Sequence, residues 1–124
     1  MIDHVSIAVS DLARATAFYE KLLGVLGYAK LRMSGETTGF GKKYPEFWVN
    51  LREGESPTSG AHVALRARDI GAVEAFYAAA LANGGSCDGP PGLREIYNPR
   101  YYAAFIRDPD GNRIEAVTFV YENP

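Results

Sequence analysis

Two stretches of this chain repeat each other. Shifted by 58 positions, "DHVSIAVSDL" falls on "AHVALRARDI", which sets His4 on His62, Val5 on Val63, Asp11 on Asp69, Phe18 on Phe76, Tyr19 on Tyr77, Leu23 on Leu81 and Gly27 on Gly85. So many matches in one register mark an internal duplication, and a duplicated unit must fold twice in the same way. Each copy opens on alternating apolar residues, Val5, Ile7 and Val9 or Val63 and Leu65, the pattern of a half-buried strand. Asp11 or Asp69 follows as a helix N-cap, then a helical stripe: Leu12, Ala15, Tyr19, Leu22, Leu23 and Leu26 in one copy, Ile70, Val73, Tyr77, Ala80 and Leu81 in the other. The aromatic members of these stripes are expected in the core. Gly24 with Gly27 and Gly84 with Gly85 supply the stops.

Short strands are expected after each helix, at about 27–33, 37–42 and 46–52 and again at 86–88, 101–107 and 113–120. "GPPGLREIYNP" reads as an irregular loop, and "DPDGN" at 108–112 as a hairpin turn with Gly111 at positive φ. The fold class is therefore α+β, one domain over 1–124, with module one at about 1–53, a linker at about 54–60 around "SPTSG", and module two at about 61–120.

Strand alternation then decides where the histidines point. If Val5, Ile7 and Val9 go under one helix and Val63 and Leu65 under the other, His4, Ser6 and Ala8 share the opposite face with His62, Ala64 and Arg66. In "NRIEAVTFV" the carboxylate of Glu115 lies in line with Val117 and Phe119, an arrangement that costs free energy unless a partner is near. Allowing a seven-residue gap, its counterpart in "EFWVNLRE" is Asn50, on the face that also carries Trp48 and Arg52. His4, His62 and Glu115 thus converge from three strands, a donor set that binds a divalent transition metal with positions open for substrate or water. Arg66 is a candidate for pairing a substrate carboxylate or phosphate, Trp48 for an apolar wall. Tyr97, Arg100, Tyr101 and Tyr102 are candidates for a lid, with Arg100 and Tyr101 at the substrate and a tyrosine, Tyr102, moving a proton.

The composition excludes other classes. With 23% charged residues and a net charge of −2, nothing favours nucleic acid or an anionic membrane, and no apolar run approaches a membrane span. The single cysteine, Cys87, forms no internal disulfide and has no basic neighbour to activate it, which points to a loop or strand-edge thiol and a cytoplasmic protein.

Taken together, "DHVSIAVSDLARATAFYEKLLG", "GAHVALRARD" and "FIRDPDGNRIEAV" resemble the vicinal oxygen chelate superfamily, the glyoxalase, bleomycin-resistance and ring-cleaving dioxygenase group, over essentially the whole chain. The resemblance implies two tandem βαβββ modules forming a curled mixed sheet around a central cleft. It also implies a divalent metal ion (Zn, Ni, Fe, Mn or Mg) in that cleft, a small-molecule substrate and a homodimer. His4, His62 and Glu115 match three ligand positions, and Asn50 falls at or near the fourth. Glyoxalase I proteins carry a proton-moving glutamate at that fourth position, and an asparagine amide accepts no proton at neutral pH. Lactoylglutathione lyase activity by the usual route, and methylmalonyl-CoA epimerase activity with it, is therefore not expected. Ring-cleaving dioxygenases need a further histidine that this chain lacks. A lyase, isomerase or thiol transferase acting on a metal-chelated, oxygen-rich substrate is the expectation, and a small-molecule binding or resistance protein without turnover is the alternative.

Overall fold

The computed structural model describes residues 1–52 and 62–120, so the expected linker lies outside the described residues. The elements run β1 (Val5–Val9), α1 (Leu12–Gly24), β2 (Ala29–Ser34), β3 (Thr37–Gly41) and β4 (Pro45–Leu51), then β5 (His62–Arg66), α2 (Ile70–Ala82), β6 (Ser86–Leu93), β7 (Tyr101–Arg107) and β8 (Arg113–Phe119). Each half is a βαβββ module, and each forms its own four-stranded mixed sheet, ordered β1-β4-β3-β2 and β5-β8-β7-β6. β1 runs parallel to β4, and β5 to β8, because a helical crossover separates them in the chain; the other neighbours are antiparallel.

The duplicated aspartates start both helices as expected. Asp11 accepts from the backbone N–H of Arg14 at 3.0 Å, and Asp69 from that of Ala72 at 2.8 Å. The apolar faces meet in one continuous core: Phe18, Tyr19, Leu22 and Leu23 of α1 lie against Phe40, Phe47 and Val49, and Val73, Phe76 and Ala80 of α2 against Ile106, Ile114 and Ala116. All are essentially closed to water, and a side chain buried to this degree contributes roughly 1.5–3 kcal/mol. Ile70 and Leu81, expected in the second stripe, are instead exposed, because Ala72 and Phe76 turn the buried face of α2 away from them. Among the described residues no helix is long and apolar enough to cross a membrane.

One expected boundary moves. β6 does not stop at 88 but continues to Leu93, taking "GPPGL" into the strand, with register breaks on either side of Gly89. Prolines are tolerated there because β6 is the outer strand of its sheet, where missing N–H groups interrupt no ladder on the free side. The irregular connection is thus 94–100, and Cys87 sits exposed on that edge strand.

Candidate functional site

β8 carries a carboxylate into an apolar layer. Glu115 is 2% exposed, flanked along the strand by Ile114, Ala116 and Val117, and it is fully partnered. Its Oε1 lies 3.2 Å from His62 Nε2, and its Oε2 accepts a hydrogen bond from the Tyr101 hydroxyl. The register explains both contacts. Ala64 is directly opposite Glu115, so His62, two residues earlier on β5, reaches it diagonally. On β7, Tyr101, Ala103 and Phe105 share the face of Glu115, and the small Ala103 leaves room for the Tyr101 ring to reach along the sheet. Burial raises the Tyr101 hydroxyl well above the ordinary tyrosine value, and its bond to Glu115 adds to this; at neutral pH it keeps the proton that it donates to Glu115. Tyr101 is held edge-on by Phe119 at 5.5 Å and Tyr97 at 5.2 Å. Arg66 lies over the Phe119 ring at 4.7 Å, where it closes this wall.

Tyr102, one residue on, alternates to the other face. Its hydroxyl donates to Glu74 of α2 at 3.2 Å, and its ring packs against the core. The hydroxyl at Glu115 is therefore that of Tyr101 and not Tyr102, the reason being the strand's two-residue period. Arg100 precedes β7 in the 94–100 connection, its backbone N–H bonded to Asn98 Oδ1 at 2.8 Å.

Module one presents a different surface. His4 is exposed before β1, with Nδ1 2.7 Å from Asp3 Oδ1. Ser6 is opposite Trp48 and Ala8 opposite Asn50, whereas in module two it is Ala64, the counterpart of Ser6, that faces Glu115. The residue matching Glu115 by register is thus Trp48; Asn50 lies two positions further along β4. The sequence comparison placed the gap two residues short, because module two has longer β6, β7 and connecting segments whose lengths the strand pattern does not reveal. The Trp48 ring lies across Gly39, where an added Cβ would come within 2.7 Å of it. Asn50 Oδ1 accepts from the Thr37 hydroxyl.

The modules pack through α1 and α2, and residues of β1 and β5 line two cavities between them. One, about 410 Å³, is lined by Ser6, Asn50, Arg52, His62, Asn112 and Arg113; the other, about 360 Å³, by His4, Tyr28, Glu46, His62 and Ala64 among others. His62 borders both. Arg52 and Arg113 were not singled out in the sequence, although Arg52 shares the alternation of Trp48 and Asn50.

A metal held by His4, His62 and Glu115 fits this arrangement in part. His62 and Glu115 converge, an imidazole beside a desolvated carboxylate, with donor chemistry suited to a divalent transition metal. Among the described residues no group of three or more His, Cys, Asp or Glu side chains comes together, so His4 does not join them within one chain.

The model of the Glyoxalase/Bleomycin resistance protein/Dioxygenase superfamily matches residues 1–116. A glyoxalase/bleomycin resistance protein from Albidiferax ferrireducens T118 is 33% identical, with a TM-score of 0.79, over 93% of this chain and 96% of that one. The V278E mutant of glyoxalase I from Zea mays is 27% identical with a TM-score of 0.73, over 92% of this chain but 44% of that longer one. The fosfomycin resistance protein FosX from Mesorhizobium loti, 22% identical, shares the fold with a TM-score of 0.67 over 97% and 92% of the two chains. No curated protein matches the chain. The family model over nearly the whole sequence and the paired βαβββ modules give one result: this chain belongs to the glyoxalase/bleomycin resistance protein/dioxygenase superfamily.

Proposed function

We propose that the protein is a divalent-metal-dependent enzyme of the lyase, isomerase or thiol transferase type, acting on a small oxygen-rich substrate. Members of this superfamily are metal-dependent enzymes or resistance proteins. The observation that carries the reading is the buried Glu115 carboxylate, placed between His62 and the Tyr101 hydroxyl. Burying a carboxylate in an apolar layer costs free energy, and this one stands beside an imidazole with donor chemistry for a divalent metal. His62 and Glu115 would hold the metal, with His4 as third donor; when bound, the ion would supply Lewis acidity to a developing oxyanion.

The chain's own groups do the rest. Tyr101, which donates to Glu115, is a positioning residue for that carboxylate. Asn50, its oxygen bonded to Thr37, offers amide N–H donors to a substrate oxygen. Trp48 at the position related to Glu115 can accept no proton, which supports a reaction other than the lactoylglutathione lyase route. That same indole favours the second reading, a binding or resistance protein without turnover.

Because His4 stands apart from His62 and Glu115 in one chain, the reading includes a homodimer in which His4 of a second copy completes the site. A cytoplasmic location, from the single cysteine, belongs to the same reading. Metal analysis of protein purified without chelators tests it: bound divalent metal near one per chain is expected, and loss of it in His62→Ala and Glu115→Gln. Protein that carries no metal and takes none up on dialysis overturns the enzyme reading. Mixing His4→Ala with His62→Ala is expected to restore metal binding that neither has alone; no restoration overturns the shared site.

A further inference from the structure

We propose that the cavity of about 410 Å³ between the modules is an anion-binding subsite, in which Arg52 and Arg113 grip a carboxylate or phosphate group of a small ligand. Its lining is unusual for this chain. The protein carries a net charge of −2, yet among the described residues the cavity walls hold two guanidinium groups and the His62 imidazole and no aspartate or glutamate. Positive charge concentrated in one recess of an acidic protein raises the local concentration of anions there.

Among the described residues neither arginine is fully neutralised. Arg52 forms no ion pair among the described residues. Arg113 shares the single carboxylate of Asp88 with Arg107, at Nε distances of 3.8 and 3.4 Å, so two guanidinium groups divide one negative charge. Contact through Nε leaves the terminal nitrogens of Arg113 for a planar oxyanion, the group that a guanidinium fork matches best. Ser6 and Asn50 add neutral donors on the module-one side.

The recess is also firmly built. Asn112 Nδ2 donates to the Ala8 carbonyl of β1 and to Asp108 Oδ2, both at 2.9 Å, so the wall carrying Arg113 is tied to the wall opposite. A preformed cavity loses little free energy to ordering when a ligand enters. The volume suits a small molecule. Arg66, the sequence's candidate for such a contact, is instead stacked on Phe119.

The inference deepens the proposed function. His62 borders this recess and contacts Glu115, so one ligand would place its anionic group between the arginines and its chelating oxygens at His62 and Glu115. That makes the substrate class an oxygen-rich carboxylate or phosphate. Anion capture by the arginines does not itself depend on a metal.

The test is an NMR titration of chelator-treated protein at low ionic strength, with inorganic phosphate and malonate as probes. We expect saturable amide shifts centred on Ser6, Ala8, Asn50, His62 and Asn112, with the tighter probe identifying which oxyanion the recess prefers. Arg52→Gln and Arg113→Gln should each weaken that probe about tenfold or more, with dispersed spectra showing both variants folded. Arg68→Gln, on the exposed surface, should bind as wild type. Shifts that do not saturate for either probe, or affinity unchanged in the Arg52→Gln/Arg113→Gln double variant, overturn the subsite. Metal content of the His62→Ala and Glu115→Gln proteins reads the enzyme proposal separately.

Discussion

The hydroxyl of Tyr19, on the first helix, donates to Asp108 Oδ2 at 2.6 Å, across the boundary between the two modules. Asp108 is 4% exposed and also accepts from Asn112 Nδ2 and from the backbone N–H groups of Asp110 and Asn112. The "DPDGN" turn, expected only to join two strands, is therefore also a clasp, with Gly111 at φ 94° closing it and Ser10 N–H bonded to Asp110 at 3.1 Å. Tyr19→Phe keeps the ring and removes the donor. A loss of about 1.5–3 kcal/mol is expected for a charge-assisted bond in this setting, read as a lower urea midpoint with an unchanged slope.

The same carboxylate sets a pH dependence. Burial raises the Asp108 pKa above the ordinary carboxylate value, although its bonds to Tyr19 and Asn112 pull the other way. With the folded value above the unfolded one, the folded state binds the proton more readily. The cost of the buried charge is then fully present at neutral pH and is relieved as pH falls through the folded value to the ordinary carboxylate value. The stability of wild type relative to Asp108→Asn should accordingly grow on acidification through that window. Urea titrations of both proteins at neutral and mildly acidic pH check the sign, and a wild-type stability that falls relative to Asp108→Asn contradicts it.

Tyr101→Phe removes the donor that orients Glu115 and leaves the ring contacts with Phe119 and Tyr97. On the metal reading, affinity should drop about 10–100-fold, the usual consequence of losing a group that orients a ligand. Competition against a chromophoric chelator measures it. Tyr102→Phe, which touches only the helix side, should leave metal affinity unchanged.

Trp48 is the one tryptophan in the chain, so its fluorescence reports on module one alone. Gly39→Ala would press a methyl into that ring, with Cβ contacts of 2.7 and 2.9 Å and Pro45 equally close. Overpacking of this kind costs about 1–3 kcal/mol. The expected result is a shifted emission maximum together with a lower melting temperature; a spectrum identical to wild type would show that the ring does not rest on Gly39.

Much of this was legible in the sequence because duplication supplies its own control. Two copies of the strand, N-cap and helix stripe agree, so Asp11 and Asp69, Phe18 and Phe76 each support the reading of the other. That His62 and Glu115 meet on one face followed from the duplication and from alternation, since a period of two assigns faces without knowing what packs on them. Three of the features that escaped have a plain physical reason. The strand run of β6 is hidden by its prolines, which are permissible only at an edge that local sequence does not announce. The counterpart of Glu115 was placed two residues off, since the insertions separating the copies lie between strands and leave no periodic trace. The clasp joins Tyr19 to Asp108 and Ala8 to Asn112, contacts set by how the modules dock, to which neither copy's pattern refers.

The pairing of Ser6 with Trp48, set against that of Ala64 with Glu115, means that the two copies have parted in character while keeping one backbone. One half retains an ionisable group where the other has only shape. On the proposed reading, change in the first module would alter how a ligand is held, and change in the second the carboxylate that the metal needs.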